Sequence, residues 1–541
     1  MKKQFFLIIT CCLFSLAACT DFLKEVPLSQ ITNEHFFASR NDAFSSVNIL
    51  YRNGVMGHMS SGSFIGCTYF YSQVYRAGGL VNNVQGGNQN QALMRILETT
   101  INTINADGAE TPGGLWSAPY ELIVRYANFA LENLPTCPGL TDAERTQLIG
   151  EAHFFRALNY YYLVSIFGPV PIVLNSYSSL EGIYNRRSSE KLVYEQILKD
   201  LDVAIAANLP DQPMPANRYR VSRGSVLALA ADVCLNMAGY PLNDKSKYAD
   251  AARYAKMLIE SPNYGLIQHR AAFDKSNPAT WQQNSAYNTL RTSENERELL
   301  FVREYDATIA NASEQPTWCL PWEAVNYDDF QYPVYAETYM PNPVIMSLYD
   351  KVNDLRYQER QYFHRFFTFS NGDVWTFDRE YPFFWWENTA LLQTQRAEKN
   401  MTVYRLAEMY LTAAEALVEA GGEVTDEAAG YLATIQERAS LNKDLNTIKA
   451  ELMALSKEEF VEEVLKERIR ELLFEAKLWR DIARTRKYPA FDASGEFTYI
   501  PLIGAVPPRN LETTFTENKI YFLIPLAAMD RNPLLKEPPL Q

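Results

Sequence analysis

The sequence contains few of the residues that metal and nucleophilic sites need. Only five histidines occur among 541 residues, and no two of them lie close together along the chain. The seven cysteines include no C-x-x-C spacing, which argues against a zinc site or a redox pair. Motifs of zinc proteases, serine-nucleophile elbows, P-loops and dinucleotide-binding turns are also absent. The residues therefore give no support to a histidine-bound metal, a cofactor or a nucleophilic enzyme.

Positive charge is also scarce relative to negative charge. With 50 basic and 64 acidic side chains the chain carries a formal charge of −14, which argues against nucleic acid and anionic lipid surfaces as partners. A glycosidase needs only two carboxylates about 5–9.5 Å apart, so the acidic residues leave a surface hydrolase open as an alternative. No spacing selects such a pair, and we expect a protein that is not an enzyme.

Long apolar runs are missing, and the one short run lies at the N-terminus. Lys2 and Lys3 precede the apolar residues 5–9, which are too few for a bilayer span of about 20 residues. A charged start, a short apolar core and small residues are typical of a secretory signal peptide. Cys19 follows Leu-Ala-Ala, as in a bacterial lipobox. We expect removal of residues 1–18 and lipid anchoring through Cys19, with a soluble secreted protein as the alternative.

Four cysteines lie beyond the predicted anchor, namely Cys67, Cys137, Cys234 and Cys319. An exported protein is permitted to form disulfides, but a chain with 47% hydrophobic residues builds a core that does not need them. We expect buried free thiols, and two disulfides are the alternative.

The hydrophobic spacing predicts helices over most of the chain. Apolar residues recur every three to four positions in 147–166, 191–208, 225–238, 248–260, 404–420, 427–439 and 457–486. Ser222 is placed to cap the third of these helices, and the last is predicted as one long charged helix. Paired helices with alanine-rich contacts are typical of tetratricopeptide-like arrays. The expected fold is therefore mainly α, a helical repeat scaffold with a few short strands.

Two stretches lack this periodicity. Residues 262–400 are rich in Tyr, Trp, Asn and Pro, which predicts long loops and short strands, and residues 487–541 read as an irregular C-terminal wrap. We expect one domain over 19–541, with the helical scaffold mainly in 36–260 and 400–486 and a loop-rich insertion at 262–400.

Motifs along nearly the whole mature chain, in order, resemble the SusD/RagB family of outer-membrane nutrient-binding lipoproteins. They lie at 19–23, 31–37, 150–157, 167–171, 221–224, 237–244, 404–411, 414–416, 467–468, 470–472, 524–525 and 532–533. The chain departs from the family at Ala476-Lys477, where the family favours glycine first, and at Glu537-Pro538-Pro539, which replaces its usual ending.

The resemblance implies a scaffold of about four tetratricopeptide-like helix pairs with a loop-rich ligand side. It also implies a surface lipoprotein of the cell outer membrane, facing the cell exterior, that pairs with a SusC-like TonB-dependent barrel. Such proteins capture glycans for import, and capture of oligopeptides is the alternative. No cofactor is implied.

A glycan site needs flat aromatic faces for the sugar ring and amides or carboxylates for its hydroxyls. Two segments of the irregular stretch offer them, supported by an earlier loop. The candidate ligand-binding residues are Trp281, Gln283, Trp318, Trp322, Tyr327, Tyr71 and Asn83. Each of these aromatic side chains could instead belong to the core, as most tryptophans do.

Other conspicuous residues are expected to be structural. Trp116 and Trp479 lie in helical patterns and are predicted to pack. Trp385 and Trp386 are interpreted as a second sugar platform, a buried face or a contact with the barrel. The charged residues inside the family-like helices are predicted to form ion pairs rather than to act as catalysts, namely Glu151, Arg156, Glu415, Glu471 and Arg480.

Overall fold

The protein is mostly helical, with short two-stranded sheets between the helices. The computed structural model describes residues 37–55, 80–81, 112–177, 182–306, 316, 319–330, 340–394, 397–506 and 514–541. Within these ranges, no helix combines the length and the hydrophobicity that a membrane span needs. Trp318, Tyr71, Asn83, Cys67 and the predicted leader with Cys19 lie outside the described residues.

In the described part of the N-terminal helical block there are seven α-helices, and a short π-helix, Leu122–Ala127, joins the second to the third. The α-helices are α1 (Arg40–Asn53), α2 (Pro112–Glu121), α3 (Asn128–Asn133), α4 (Asp142–Phe167), α5 (Glu190–Ala206), α6 (Arg223–Ala238) and α7 (Lys247–Ile259). Helix α4 packs on α5, and α6 packs on α7. The predicted cap at Ser222 is confirmed, since its hydroxyl accepts from the backbone N–H of Ser225. Helix α4 ends at Gly168, whose φ of +69° favours glycine.

The C-terminal helical block continues the same packing. Its helices are α11 (Leu406–Gly421), α12 (Asp426–Ala439), α13 (Leu445–Met453), α14 (Lys457–Leu472) and α15 (Leu478–Thr485). Helix α11 packs on α12 and α14, and it also contacts α7 of the first block. The alanines of α11 at its contacts are fully buried, which allows the close helix approach that the sequence predicts.

The prediction of one helix over 457–486 is wrong. The chain leaves α14 after Leu472 and resumes in α15 at Leu478, because Ala476 has a φ of +58° that no α-helix contains. The side chains on either side of this turn are held by buried partners: Glu475 accepts from Arg405, and Lys477 lies 2.8 Å from Glu408. The positive φ also explains why a glycine suits this position.

Between the two blocks lie short elements. They are α8 (Pro278–Asn284), α9 (Ala286–Thr292), α10 (Pro343–Met346) and the strands β2 (Leu299–Arg303), β3 (Met340–Pro341), β4 (Phe363–Thr368), β5 (Val374–Pro382) and β6 (Met401–Arg405). Strand β3 pairs with β1 (Leu80–Val81), β2 with β6, and β4 with β5, all antiparallel. The β2–β6 pair joins the irregular stretch to the start of α11.

The C-terminal segment is irregular, as predicted, but it contains an antiparallel pair. Strand β7 (Lys487–Phe491) pairs with β8 (Phe497–Pro501), and α16 (Leu526–Arg531) follows. The last residues return to the first block, where the backbone N–H of Leu540 donates to the carbonyl of Arg187 at 2.7 Å.

A network of buried charges connects the blocks, and we call it the scaffold ion network. Arg405 is fully buried and donates to Glu298 at 2.9 Å, to Glu471 at 2.7 Å and to Glu475 at 2.8 Å. Arg438 bridges Glu298 and Glu471 at 2.7 and 2.6 Å. Each guanidinium therefore has at least two carboxylate partners, which is the condition under which buried charges persist.

Further buried pairs confirm the structural role predicted for the charged helix residues. Arg156 lies 2.6 Å from Asp200, Arg480 lies 2.9 Å from Asp232, and Glu471 belongs to the scaffold ion network. Glu151 and Glu415 also pair with an arginine each, Arg220 and Arg484.

Candidate functional site

A cavity of about 620 Å³ opens beside the β4–β5 hairpin. Its walls come from four regions of the chain: Gln282 on α8, residues 291–294 at the end of α9, Arg360 with the β4 side chains that follow it, and the segment 383–399 after β5. The volume falls in the range of small-molecule sites, which are about 300–1,000 Å³. The cavity therefore gathers side chains of the irregular stretch that the sequence separates by more than one hundred residues.

The hairpin is built by its turn and by alternating aromatic residues. The backbone N–H of Phe369 donates to the carbonyl of Asp373 at 2.9 Å, and Gly372 takes a φ of +93° in the turn between them. An Asn-Gly pair flanked by β-prone residues is a strong hairpin signal. In the register, Phe367 faces Trp375 and Phe366 faces Thr376. The strands thus present rings on both sides of the hairpin.

One side of the hairpin forms what we call the aromatic surface, made of Tyr327, Phe330, Phe367, Phe369 and Trp375. The ring centroid of Tyr327 lies 4.9 Å from that of Phe369 and 4.7 Å from that of Trp375, and Phe367 lies 5.1 Å from Phe369. All but Phe330 are only partly buried. Partly exposed rings held against one another provide the flat apolar faces that a sugar ring needs.

Phe367 connects the aromatic surface to the cavity. It lines the cavity, and its ring centroid lies 5.8 Å from that of Trp386, whose indole N–H donates to Asn388 at 2.6 Å. Behind them His364 is fully enclosed by aromatic rings. Burial lowers the pKa of His364 to about 3, and the charges of Arg360 and Arg365 act in the same direction. The imidazole is therefore neutral near pH 7 and supports the wall.

Charged side chains of both signs line the cavity. Lys399 is paired with Glu294 at 2.9 Å. Glu387 accepts from the backbone N–H groups of Glu398 and Lys399, and burial raises its pKa. Arg291, on α9, donates to the carbonyl of Trp386 at 2.8 Å. The cavity therefore combines aromatic faces, hydrogen-bonding carboxylates and guanidinium groups.

The predicted site residues have different places in the structure. Tyr327 belongs to the aromatic surface. Trp281 lies on α8 beside Gln282, but its indole N–H already donates to the carbonyl of Asp274 at 2.8 Å, and Gln283 is exposed on the same helix. The backbone of Trp322 begins a 3-10 helix, Trp322–Asn326, which leads into Tyr327.

Several residues of this site were missed from the sequence. They are Arg291, Arg360, Phe366, Phe367, Phe369 and Trp375. The hairpin was recognisable, since Asn371-Gly372 separates two aromatic runs. Arg291 and Arg360 carried no signal, because a lone arginine on a short helix or in a turn resembles any surface charge.

The remaining tryptophans and cysteines are largely structural. Trp116 and Trp479 are buried in helices, as predicted, and Trp385 and Trp386 are buried after β5, with Trp386 also lining the cavity. Of the alternatives for the cysteines, Cys137, Cys234 and Cys319 are buried free thiols. Among the described residues, no group of His, Cys, Asp and Glu is arranged to hold a metal ion.

Family models and a known protein match this chain in sequence. A family model described as "SusD family" matches residues 377–540, and a second, described as "Starch-binding associating with outer membrane", matches residues 69–235. SusD-like protein P2 from Formosa agariphila is 25% identical over 529 residues, which cover 92% of this chain and 96% of the relative.

Solved structures of SusD-like and glycan-binding proteins are also similar to this chain. A SusD superfamily protein from Parabacteroides distasonis is 26% identical with a TM-score of 0.75, over 94% of this chain and 99% of that one. Surface glycan-binding protein A from Bacteroides thetaiotaomicron, solved with laminarihexaose, is 18% identical with a TM-score of 0.65 over 91% and 98%, a likeness of fold. Family models in both halves and likeness along nearly the whole length show that the chain belongs to the SusD/RagB family.

Proposed function

We propose that this protein is a non-catalytic surface lipoprotein that binds an oligo- or polysaccharide and passes it to a SusC-like TonB-dependent barrel in the outer membrane. The observation that carries the proposal is the aromatic surface, which continues through Phe367 into the cavity. A glycan chain would stack on Tyr327 and Trp375 and extend toward the polar side chains around Asn388.

Family membership supports this proposal. One matching family model is described as starch-binding and associated with the outer membrane, and a protein of the same fold has been solved with a hexasaccharide. A binding role also fits the chemistry of the cavity. Glu294 is paired with Lys399, Glu387 accepts from backbone N–H groups, and the lowered pKa of His364 keeps its imidazole neutral near pH 7.

Isothermal calorimetry of the mature chain against neutral and acidic polysaccharides tests the binding role. We expect saturable binding of at least one polysaccharide without release of reducing ends. Tight binding of peptides with no polysaccharide bound would instead support the oligopeptide alternative. Release of reducing sugar by the purified protein would contradict a purely binding role.

The anchor and the barrel are tested separately in the cells that make the protein. Mass spectrometry of the mature N-terminus is expected to find acyl chains on Cys19, and Cys19→Ala is expected to release the protein from the membrane. Affinity purification of the full chain from solubilised outer membrane is expected to retain a TonB-dependent barrel. Recovery of the lipidated protein without any barrel would contradict the transfer step.

A further inference from the structure

We propose that the cavity recognises an acidic sugar residue, with its carboxylate or sulfate ester held by Arg291 and Arg360 and its hydroxyls donating to Glu387 and Glu398. This inference rests on the proposed glycan-binding function and names the class of glycan. It follows from an asymmetry among the charged groups that line the cavity.

Arg291 is largely enclosed but has no carboxylate partner among the described residues. It donates to the carbonyl of Trp386 and to the side-chain oxygen of Asn288, both at 2.8 Å, and it lies 4.7 Å from the ring centroid of Phe383. Its Nε is buried and finds no acceptor in the described part of the chain. An enclosed guanidinium is costly to desolvate unless an anion compensates it, and two neutral oxygens do so only in part.

Arg360 brings a second positive charge to the same cavity. Its nearest carboxylate oxygen, on Glu359, lies 4.0 Å away, beyond hydrogen-bond distance. The guanidinium lies 5.3 Å from the ring centroid of Phe366, which also lines the cavity. Arg360 has a φ of +61°, a strained value for a non-glycine residue that tends to persist at functional sites.

The two guanidiniums act on each other. Burial and the charge of Arg360 together lower the pKa of Arg291 to about 10, and no carboxylate opposes them. An anionic group between them would relieve this repulsion and compensate both charges. Planar carboxylates and sulfate esters match the fork of the guanidinium, which donates two parallel hydrogen bonds.

The carboxylates that line the cavity favour a sugar over a simple anion or a polyanion. Glu387 and Glu398 line the cavity, and they would repel a ligand with negative charge on every side. Sugar hydroxyls, in contrast, donate to carboxylates readily. Phe366 and Phe367 supply apolar contact for the ring. One anionic group, several hydroxyls and an apolar ring face describe a uronate or a sulfated sugar.

The experiment compares polysaccharides that share a backbone and differ in charge. Polygalacturonate is paired with its methyl ester, and a sulfated galactan is paired with the unsulfated galactan, so that the two pairs distinguish carboxylate from sulfate ester. Calorimetry with the mature chain is expected to detect at least one acidic member and to find its neutral partner bound at least about tenfold more weakly.

Substitutions in the cavity test whether the preference for the acidic polysaccharide arises there. Arg291→Gln and Arg360→Gln are each expected to weaken binding of the acidic member by about tenfold or more. Arg379→Gln is the matched control, because Arg379 is an exposed arginine of the same hairpin, outside the cavity lining, and pairs with Asp378. It is expected to leave affinity within about twofold.

Each result has a distinct meaning. Equal binding of charged and neutral partners, or an acidic preference that survives both cavity variants, would overturn the acidic-sugar inference and leave the glycan-binding function in place. Binding of peptides and of no polysaccharide would overturn the proposed function, and the inference with it. Circular dichroism of each variant excludes loss of fold as the cause.

Discussion

Two regions of this protein enclose arginines, and they treat them differently. In the scaffold ion network, Arg405 and Arg438 each contact at least two buried carboxylates within 3 Å. In the cavity, Arg291 contacts only neutral oxygens and the nearest carboxylate to Arg360 is 4.0 Å away. Arg405 and Arg438 are thus compensated by carboxylates of the protein itself, whereas the charges of Arg291 and Arg360 remain available to a ligand.

This comparison also shows why buried charge alone does not identify a site. The scaffold carries many more enclosed charges than the cavity, yet every one of its guanidiniums named above has carboxylate partners, so the network holds helices and strands together. A binding site is indicated where a guanidinium has no carboxylate partner and lies next to partly exposed aromatic rings. The predictions below test each side of the contrast.

The largest effect is expected for Arg405→Met. Removing this side chain leaves Glu298, Glu471 and Glu475 buried with too few positive partners, and we expect a loss of about 3–5 kcal/mol in the free energy of unfolding. Chemical denaturation monitored by circular dichroism measures it. A loss below about 1 kcal/mol would mean that the network does not stabilise the fold.

Acid is expected to weaken the two regions over different pH ranges. Burial lowers the pKa of His364 from 6.5 to about 3, so the unfolded chain takes up this proton first and stability falls as the pH drops below about 6.5. For Glu471, burial alone would raise the pKa, but Arg405, Arg438 and Arg356 lower it from 4.5 to about 2. Its contribution is therefore complete above pH 4.5 and is lost as the pH falls toward 2.

Each proton contributes up to about 1.4 kcal/mol per pH unit, measurable by denaturation at a series of pH values. His364→Gln is expected to remove part of the decline above pH 4.5 while leaving the steeper part below it. The half-buried His269, whose pKa is also lowered by burial, contributes in the same upper range. An unchanged profile in His364→Gln would contradict the enclosed, neutral imidazole.

The aromatic surface is expected to affect binding without affecting the scaffold. Trp375→Ala and Tyr327→Ala should each weaken glycan binding by about 1–3 kcal/mol, by analogy with base stacking on aromatic side chains. Calorimetry with the bound polysaccharide measures this loss. Tyr184→Ala is the control, since its ring is 55% exposed and makes no ring contact with the aromatic surface.

Unchanged affinity in both aromatic variants would remove this surface from the site. A melting temperature that stays close to that of the unmodified protein is required for the test. The same assay applies to Trp318→Ala and Trp322→Ala, which remain predicted ligand contacts.

The smallest effect is expected for Arg291→Met. Because this guanidinium has no carboxylate partner, its removal leaves no buried acid uncompensated, and we expect a change of about 1 kcal/mol or less in the free energy of unfolding. The contrast with Arg405→Met, measured in the same denaturation experiment, is the result that matters. A loss as large as that of Arg405→Met would mean that Arg291 is a structural residue.

Sequence patterns were sufficient to predict the helical part of the molecule, because a helix with one buried face repeats its apolar residues every three to four positions. The apolar spacing of α4 and α6 and the cap at Ser222 are local properties, and they appear in the structure as predicted. The break between α14 and α15 was missed, because Ala476 looks like any helical alanine. Its positive φ is stabilised by contacts of Glu475 and Lys477 with distant residues.

The site was less accessible to prediction. Aromatic richness pointed to the correct stretch of chain and included Tyr327, but it could not distinguish Trp281, whose indole is satisfied locally, from Trp375, which lies on the aromatic surface. The cavity is lined by Arg291, Arg360 and Trp386. These residues come from separate segments, and only the folded chain brings them together.

The sequence by itself determined the helical class, the caps, the predicted leader and the family resemblance, because these depend on periodicity, local hydrogen bonding and short motifs. The tertiary structure alone decided which buried charges are compensated and which are not. A carboxylate within 3 Å of a guanidinium compensates its charge. Such pairs form between residues that lie far apart in the chain, such as Arg405 and Glu475, so only the folded structure shows which charges are compensated.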